Sequence, residues 1–170
     1  MAGKDSAATP AVRALRAASV FFTAHPYRYE EHGGTRVAAQ ELGVDEHEVV
    51  KTLVMEADGS RPLLVLMHGD REVSTRELAR QLGARRVAPC DVRTAERLTG
   101  YLVGGISPFG TRTRLDAAVE RTVLALPRIF VNGGRRGLLV ELDPAVLIRL
   151  LRVIPVDAAQ AGSEGSSAPM

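Results

Sequence analysis

Apolar positions along this chain alternate between a helical and an extended period, and the changes of period mark out its elements. Thr9-Pro10 opens the first helical pattern, threonine at the N-cap and proline at the first helical position, and Ala11, Val12 and Leu15 carry it to about Ala18. Val20 to Tyr29 is β-branched and aromatic, which predicts an extended segment interrupted at Pro26 and broken by Gly33-Gly34. Thr35 then opens a short amphipathic helix, Arg36 to Leu42, closed by Gly43. Asp45 caps a further turn, with Glu48 three residues on. Val49 to Met55 reads as extended and turns at Asp58-Gly59-Ser60. The unbroken apolar run Leu63 to Met67 predicts a central strand covered on both faces.

Further along, Ser74-Thr75 caps a helix that ends at Leu82-Gly83, Arg86 to Ala88 forms a short strand, and Asp91 starts a helix to about Leu98. Arg114 to Val119, Arg128 to Val131 and Leu138 to Leu142 are strand candidates, the last two joined across Asn132 to Gly137 as a hairpin. A final helix runs from Asp143-Pro144 through Leu151, and Val153 to Val156 adds a last edge strand. Strands and helices mix without strict alternation, which predicts a single mixed α/β (α+β) domain around one curved sheet. That domain spans 9–157. The small, polar residues 1–8 and the low-complexity tail 158–170 read as disordered.

With 170 residues and 45% of them hydrophobic, the chain is long enough to bury one sizeable core. Aromatic residues make up only 4%, so the core is built from Leu, Val, Ile and Ala. No apolar run approaches the roughly 20 residues needed to span a bilayer, and the first residues lack a signal peptide's apolar segment, which points to the cytoplasm. The single cysteine, Cys90, excludes an internal disulfide and a cysteine-based metal cluster. At the end of a short strand, it reads as a buried structural thiol. The net charge of +2 is too balanced for gripping nucleic acid by charge alone, although the pI is 9.0. Arginines do pair locally, at Arg85-Arg86, at Arg112 with Arg114, and at Arg135-Arg136.

The stretch Gly100 to Gly110 holds four glycines, Pro108, Ser107 and the aromatics Tyr101 and Phe109. Two readings stand: a loop whose backbone N–H groups are aimed at a developing oxyanion or a phosphate, or a tight crossover whose glycines serve sterics. Lys51 lies inside an apolar strand. Desolvating its ammonium is costly unless a cavity or partner receives it, while strand alternation also allows it to face solvent.

Familiar catalytic constellations are missing. Gly105-Ile106-Ser107 begins like a nucleophile elbow, but Pro108-Phe109 breaks the motif. There is no phosphate-binding Walker loop and no dinucleotide fingerprint, and His25, His32, His47 and His68 lack the spacing of a helical metal pair. Catalysis would have to come from positioning, backbone donors, Lys51, and Ser107 or a bound water, which suits an already activated ester.

Val50-Lys51-Thr52-Leu53, Thr99-Gly100-Tyr101-Leu102-Val103-Gly104-Gly105-Ile106-Ser107-Pro108 and Val131 to Leu138, in that order, closely resemble the YbaK/EbsC family of aminoacyl-tRNA editing proteins. The resemblance covers about residues 9 to 155. It implies a single mixed α/β domain with a barrel-like curved sheet, no metal or organic cofactor, and release of cysteine mischarged onto tRNA(Pro). In the mechanism it implies, the substrate's own thiol attacks the ester, so Cys90 is a bystander. Carried over, Lys51 holds the terminal adenosine, and Gly104 and Gly105 supply backbone donors to the ester oxygen. Thr52 is Lys51's neighbour in the motif, Tyr27 and Tyr101 shape the wall, and Ser107 and Pro108 fix the loop. Asn132, Gly133 and Arg136 complete the substrate-binding set.

Three departures from the family pattern affect pocket walls: Gly33-Gly34 replaces an aromatic-bearing loop, Asn132 stands in place of serine, and Leu139 in place of aspartate. Three functions follow as alternatives: cysteine release, water-driven release of another small amino acid such as alanine, and a non-catalytic module that binds aminoacyl ends or a protein. The expected partners are the aminoacyl-tRNA acceptor end and prolyl-tRNA synthetase or an elongation factor that presents it. A monomer is favoured.

Overall fold

The computed structural model describes residues 9–162. Helix α1 (Pro10–Ala17) begins as its sequence predicts, the Val12 N–H donating to Thr9 Oγ1 at 3.1 Å. Strand β1 (Thr23–Pro26) and helix α2 (Gly34–Leu42) follow. Thr35 does not cap α2. It sits inside the helix, buried, and donates from Oγ1 to Glu46 at 2.9 Å and to the Gly69 carbonyl at 3.2 Å. After a 3-10 turn (Glu46–Glu48), β2 (Val50–Ala57) and β3 (Arg61–His68) form an eight-residue antiparallel hairpin.

Strand β4 (Arg71–Val73), helix α3 (Thr75–Leu82), strand β5 (Val87–Pro89) and helix α4 (Val92–Thr99) lead to the glycine loop. Ser74 and Asp91 cap α3 and α4 as expected. Beyond the loop lie β6 (Ala117–Glu120), a one-turn helix α5 (Arg121–Leu124), the hairpin β7 (Ile129–Asn132) and β8 (Leu138–Leu142), α6 (Ala145–Leu150), β9 (Val153–Val156) and β10 (Ala159–Ala161).

A mixed five-stranded sheet runs in the order β5-β2-β3-β6-β9, with β3 at its centre. The period-2 pattern explains its burial. Leu64 and Leu66 enter the main core with Val12, Leu15 and Leu98, while Leu63 and Val65 pack on the other face against Leu78 of α3. A second sheet, β1-β8-β7, meets the first through one parallel bridge, Val49 to Phe130. The described strands therefore curve around the core without closing a barrel.

Composition misled at the C-terminal side. Residues 158–162, read as part of a disordered tail, include β10, which pairs antiparallel with β4 over Ala159–Val73 to Ala161–Arg71. Their small side chains carry no hydrophobic pattern, and backbone pairing holds them instead. Residues 1–8 and 163–170 lie outside the described residues.

Candidate active site

Lys51 is 6% exposed although it is charged, and the gap beside it is set by the pairing of β2. Strand β5 pairs with β2 only at Met55–Ala57, and the one ladder contact from the β7 side is a bridge at Val49, the residue just before β2. Between those contacts, Lys51 to Val54 has β3 on one side and no paired strand on the other among the described residues. The Cys90 N–H donates to the Val54 carbonyl at 3.0 Å, so the backbone groups of Val54 face the β5 side. By the two-residue repeat of an antiparallel ladder, the N–H and C=O of Thr52 point the same way, into the gap. Its hydroxyl is buried too and has no hydrogen-bond partner among the described residues.

The gap opens into a cavity of about 360 Å³. Besides β2, its wall includes Glu72 of β4, Cys90, Ala95 of α4, and Val103 and Ile106 of the glycine loop. Burial pushes the Lys51 ammonium below the usual lysine range, and the carboxylates of Glu72, Glu46 and Asp70 oppose that shift without cancelling it. Cys90, read as a buried structural thiol, is instead half-buried and on the cavity wall. Burial first, then Glu56 and Asp91, raise its pKa, which disfavours a thiolate.

The glycine loop reaches the cavity through Val103 and Ile106, the residues flanking Gly104-Gly105. Gly104 has φ +95°, and a Cβ there would lie 2.7 Å from the Tyr29 hydroxyl. At Gly105 a Cβ would lie 2.8 Å from backbone atoms of Arg135 and Arg136, so this residue is where loop and hairpin backbones meet. The Gly105 N–H itself closes a turn onto the Leu102 carbonyl at 2.8 Å.

Several residues expected at the substrate brace this junction. Asn132 is 2% exposed, donates from Nδ2 to the Gly104 carbonyl at 3.1 Å and accepts the Gly134 N–H at 2.7 Å. Arg136 donates from Nε to the Val103 carbonyl at 3.0 Å and lies over the Tyr29 ring. Gly133 offers its carbonyl to Thr9 Oγ1 at 2.6 Å. Tyr101 is in the core beneath the loop, its hydroxyl donating to the Phe109 carbonyl at 2.6 Å, and burial pushes its pKa up to about 12. The buried Ser107 accepts the Phe109 N–H beside the buried Pro108. Asn132→Ala leaves a buried carbonyl and a half-buried N–H unpaired, so a loss of about 1–3 kcal/mol is expected in urea unfolding.

Tyr27 and Leu139 lie elsewhere, in the small apolar cluster of Ala38, Ala39, Val49 and Phe130. The Tyr27 hydroxyl is buried without a partner among the described residues, and burial raises its pKa. Leu139 is fully buried in that cluster, where a carboxylate would be unsolvated; it is not part of the Lys51 cavity wall. The arginine pairs have different neighbours: Arg85-Arg86 line a groove beside α3, Arg112 packs on Gly100, and Arg136 braces the loop.

Sequence spacing also missed a cluster of His47, His68 and Asp70, which the β2–β3 hairpin brings together. His47 Nδ1 is 2.8 Å from Asp70, and the two imidazoles stack at 3.7 Å and 7°. Both His68 nitrogens are occupied, by the His47 carbonyl and by Thr122, and parallel stacked rings do not aim their lone pairs at one point. The cluster is a hydrogen-bonded brace.

The family model for the aminoacyl-tRNA editing domain matches residues 31–150, which include Lys51, the cavity, the glycine loop and the hairpin. EbsC of Enterococcus faecalis, named as a proposed Cys-tRNA(Pro)/Cys-tRNA(Cys) deacylase, is 26% identical over 148 residues, covering 86% of this chain and 90% of that protein. The proline–tRNA ligase of Caldicellulosiruptor bescii is 36% identical over 94 residues, 55% of this chain but 16% of the ligase. A solved structure described as a proposed trans-editing enzyme for prolyl tRNA synthetase shares the fold, with a TM-score of 0.78 and 21% identity over 95% of this chain and 100% of that one. No helix among the described residues is long and apolar enough to cross a membrane. With its lysine strand and glycine loop both inside the matched region, the chain belongs to the aminoacyl-tRNA editing domain family, in the YbaK/EbsC group.

Proposed function

We propose that this protein removes a small misattached amino acid, cysteine foremost, from tRNA(Pro) by cleaving the aminoacyl ester in trans in the cytoplasm. The observation that carries the reading is the buried Lys51 ammonium beside an unpaired strand edge, facing a glycine loop across a cavity sized for one aminoacylated nucleoside. Lys51 holds the ribose or phosphate as a point charge, and Thr52 offers its hydroxyl and backbone to the same end. Because the Gly105 N–H is taken by the Leu102 carbonyl, the oxyanion falls to the Gly104 N–H, and Gly105 serves to seat the loop on the hairpin. The substrate's thiol sulfur bonds to the ester carbon, the carbon–oxygen bond to the ribose breaks, and the thiol proton leaves on the ribose oxygen. The products are a cyclic thiolactone and free tRNA. Such a route needs no protein nucleophile, and the raised pKa of Cys90 fits its having no part in it.

Glu72 on the cavity wall favours a second reading, in which its carboxylate takes a proton from an attacking water and alanine or another small residue is released. Pocket size alone separates such substrates weakly, by about 1–3 kcal/mol per methylene. Incubation with Cys-, Ala- and Ser-tRNA(Pro), with Lys51→Ala as control, distinguishes the readings. Lys51-dependent loss of the cysteinyl ester alone supports thiol assistance, loss of the alanyl and seryl esters supports water attack, and no loss from any leaves a binding module. Presentation by prolyl-tRNA synthetase predicts faster editing when the synthetase is added at limiting tRNA, and equal rates overturn it. We take the active form to be a monomer.

A further inference from the structure

Helix α3 and strand β5 wall an open groove of about 990 Å³ that shares Thr75 and Pro89 with the Lys51 cavity, so the two adjoin at those residues. Arg76, Arg80, Arg85 and Arg86 line the groove, and all four are exposed. Glu77 also lines it and receives Arg80 at 2.8 Å, leaving four guanidiniums against one carboxylate. The Arg85-Arg86 turn is fixed from below. Both backbone N–H groups donate to Asp58 Oδ1, at 2.9 and 3.0 Å, and the Asp58 N–H donates back to the Arg86 carbonyl at 2.8 Å. The turn is rigid while its two guanidiniums stand free of that clamp.

A cavity of about 360 Å³ lies at the small end of the roughly 300–1,000 Å³ of small-molecule sites. It takes a terminal nucleoside with its amino acid, and the nucleotides behind it must leave over the surface. The groove begins where the cavity ends, and phosphates are what a fork of guanidiniums matches. We infer that the α3/β5 groove binds the sugar–phosphate backbone of the RNA acceptor strand, through Arg76, Arg85 and Arg86. The identity of the RNA rests on the editing function proposed above, whereas the affinity of the groove for an RNA backbone does not. A net charge of +2 conceals this hold because the positive charge is concentrated beside the site.

The test is fluorescence anisotropy with a labelled, uncharged RNA hairpin ending in single-stranded CCA. The variants are Arg85→Glu/Arg86→Glu and a reversal of equal charge off the groove, Arg121→Glu/Arg152→Glu, whose arginines pair with Asp157 and Asp116. The groove variant should weaken binding at least about tenfold and lower the slope of log K against log salt by about 1.5, two phosphate contacts' worth. The control should weaken it less than about twofold. Arg85→Gln/Arg86→Gln, with a thermal melt beside it, covers any folding defect in the double reversal and should show a smaller loss of the same kind. Equal weakening by both reversals, no weakening, or no binding by the wild type overturns the inference.

Kinetics separate it from the editing function. On aminoacyl-tRNA the groove variant should raise KM with kcat held, and on aminoacyl-adenosine, too short to reach the groove, it should change neither. A fall in kcat on aminoacyl-adenosine overturns the groove. A wild type that cleaves neither substrate overturns the editing function and leaves the binding result to decide the groove.

Discussion

Lys51→Met is expected to abolish ester cleavage while leaving the protein more stable than the wild type. The two effects have one cause. Lys51 is 6% exposed, so the fold holds a charge that water would solvate better, and methionine fills the same space with none. Replacing a buried charge by an apolar side chain of similar volume is worth about 1 kcal/mol or more when its partners keep other solvation. Glu72 and Asp70 are only partly buried and keep theirs. Activity should fall about 100-fold or more, equivalent to roughly 2.7 kcal/mol of transition-state stabilisation. Urea unfolding together with single-turnover deacylation checks both, and a variant that is less stable and equally active refutes the assignment.

The same lysine fixes a pH dependence. Its folded pKa lies below its ordinary 10.5, so the native state loses the proton before the unfolded chain does. Below the folded pKa the cost of burying the charge is fully present. Between the folded and unfolded values that cost is relieved, and stability rises with pH. Editing follows the charged form and should decline as pH rises through the folded value, measured as the Lys51-dependent rate above spontaneous ester hydrolysis. In Lys51→Met both the stability rise and the decline should be missing.

Local signals in the sequence were strong enough to place most elements. Thr9, Ser74 and Asp91 cap where their side chains predict, and the apolar run at Leu63 announces the central strand, because each depends on neighbours within a turn or on a two-residue alternation. Pairing between distant segments was not legible. Thr35 looked like a cap and instead reaches Gly69 across 34 residues, and the small residues at 159–161 looked like a tail until their backbone paired with β4. At the site, Lys51 stood out as a charge in an apolar strand. The cavity wall supplied by Glu72 and Cys90 did not, because it follows from where β5 stops short along β2. Asn132 and Arg136 were readable as important but not as braces, since their partners are carbonyls of a loop about 30 residues earlier.

That bracing makes Gly105→Ala the other large effect. The added Cβ would come within 2.8 Å of the Arg135 carbonyl carbon and the Arg136 nitrogen, backbone atoms held in a hairpin that cannot yield as a flexible side chain can. Loop and hairpin must separate, which strains the Asn132–Gly104 and Arg136–Val103 hydrogen bonds together. Overpacking of this kind costs about 1–3 kcal/mol. A loop shift near 1 Å also misplaces Val103 and Ile106 on the cavity wall, enough for a loss of about 100-fold in rate. Gly43→Ala supplies the contrast. Gly43 has φ +67° and nothing within 4 Å of an added Cβ, so it should cost about 1 kcal/mol of backbone strain and leave editing unchanged. If Gly105→Ala edits as fast as Gly43→Ala, the contact between loop and hairpin is not what positions the ester.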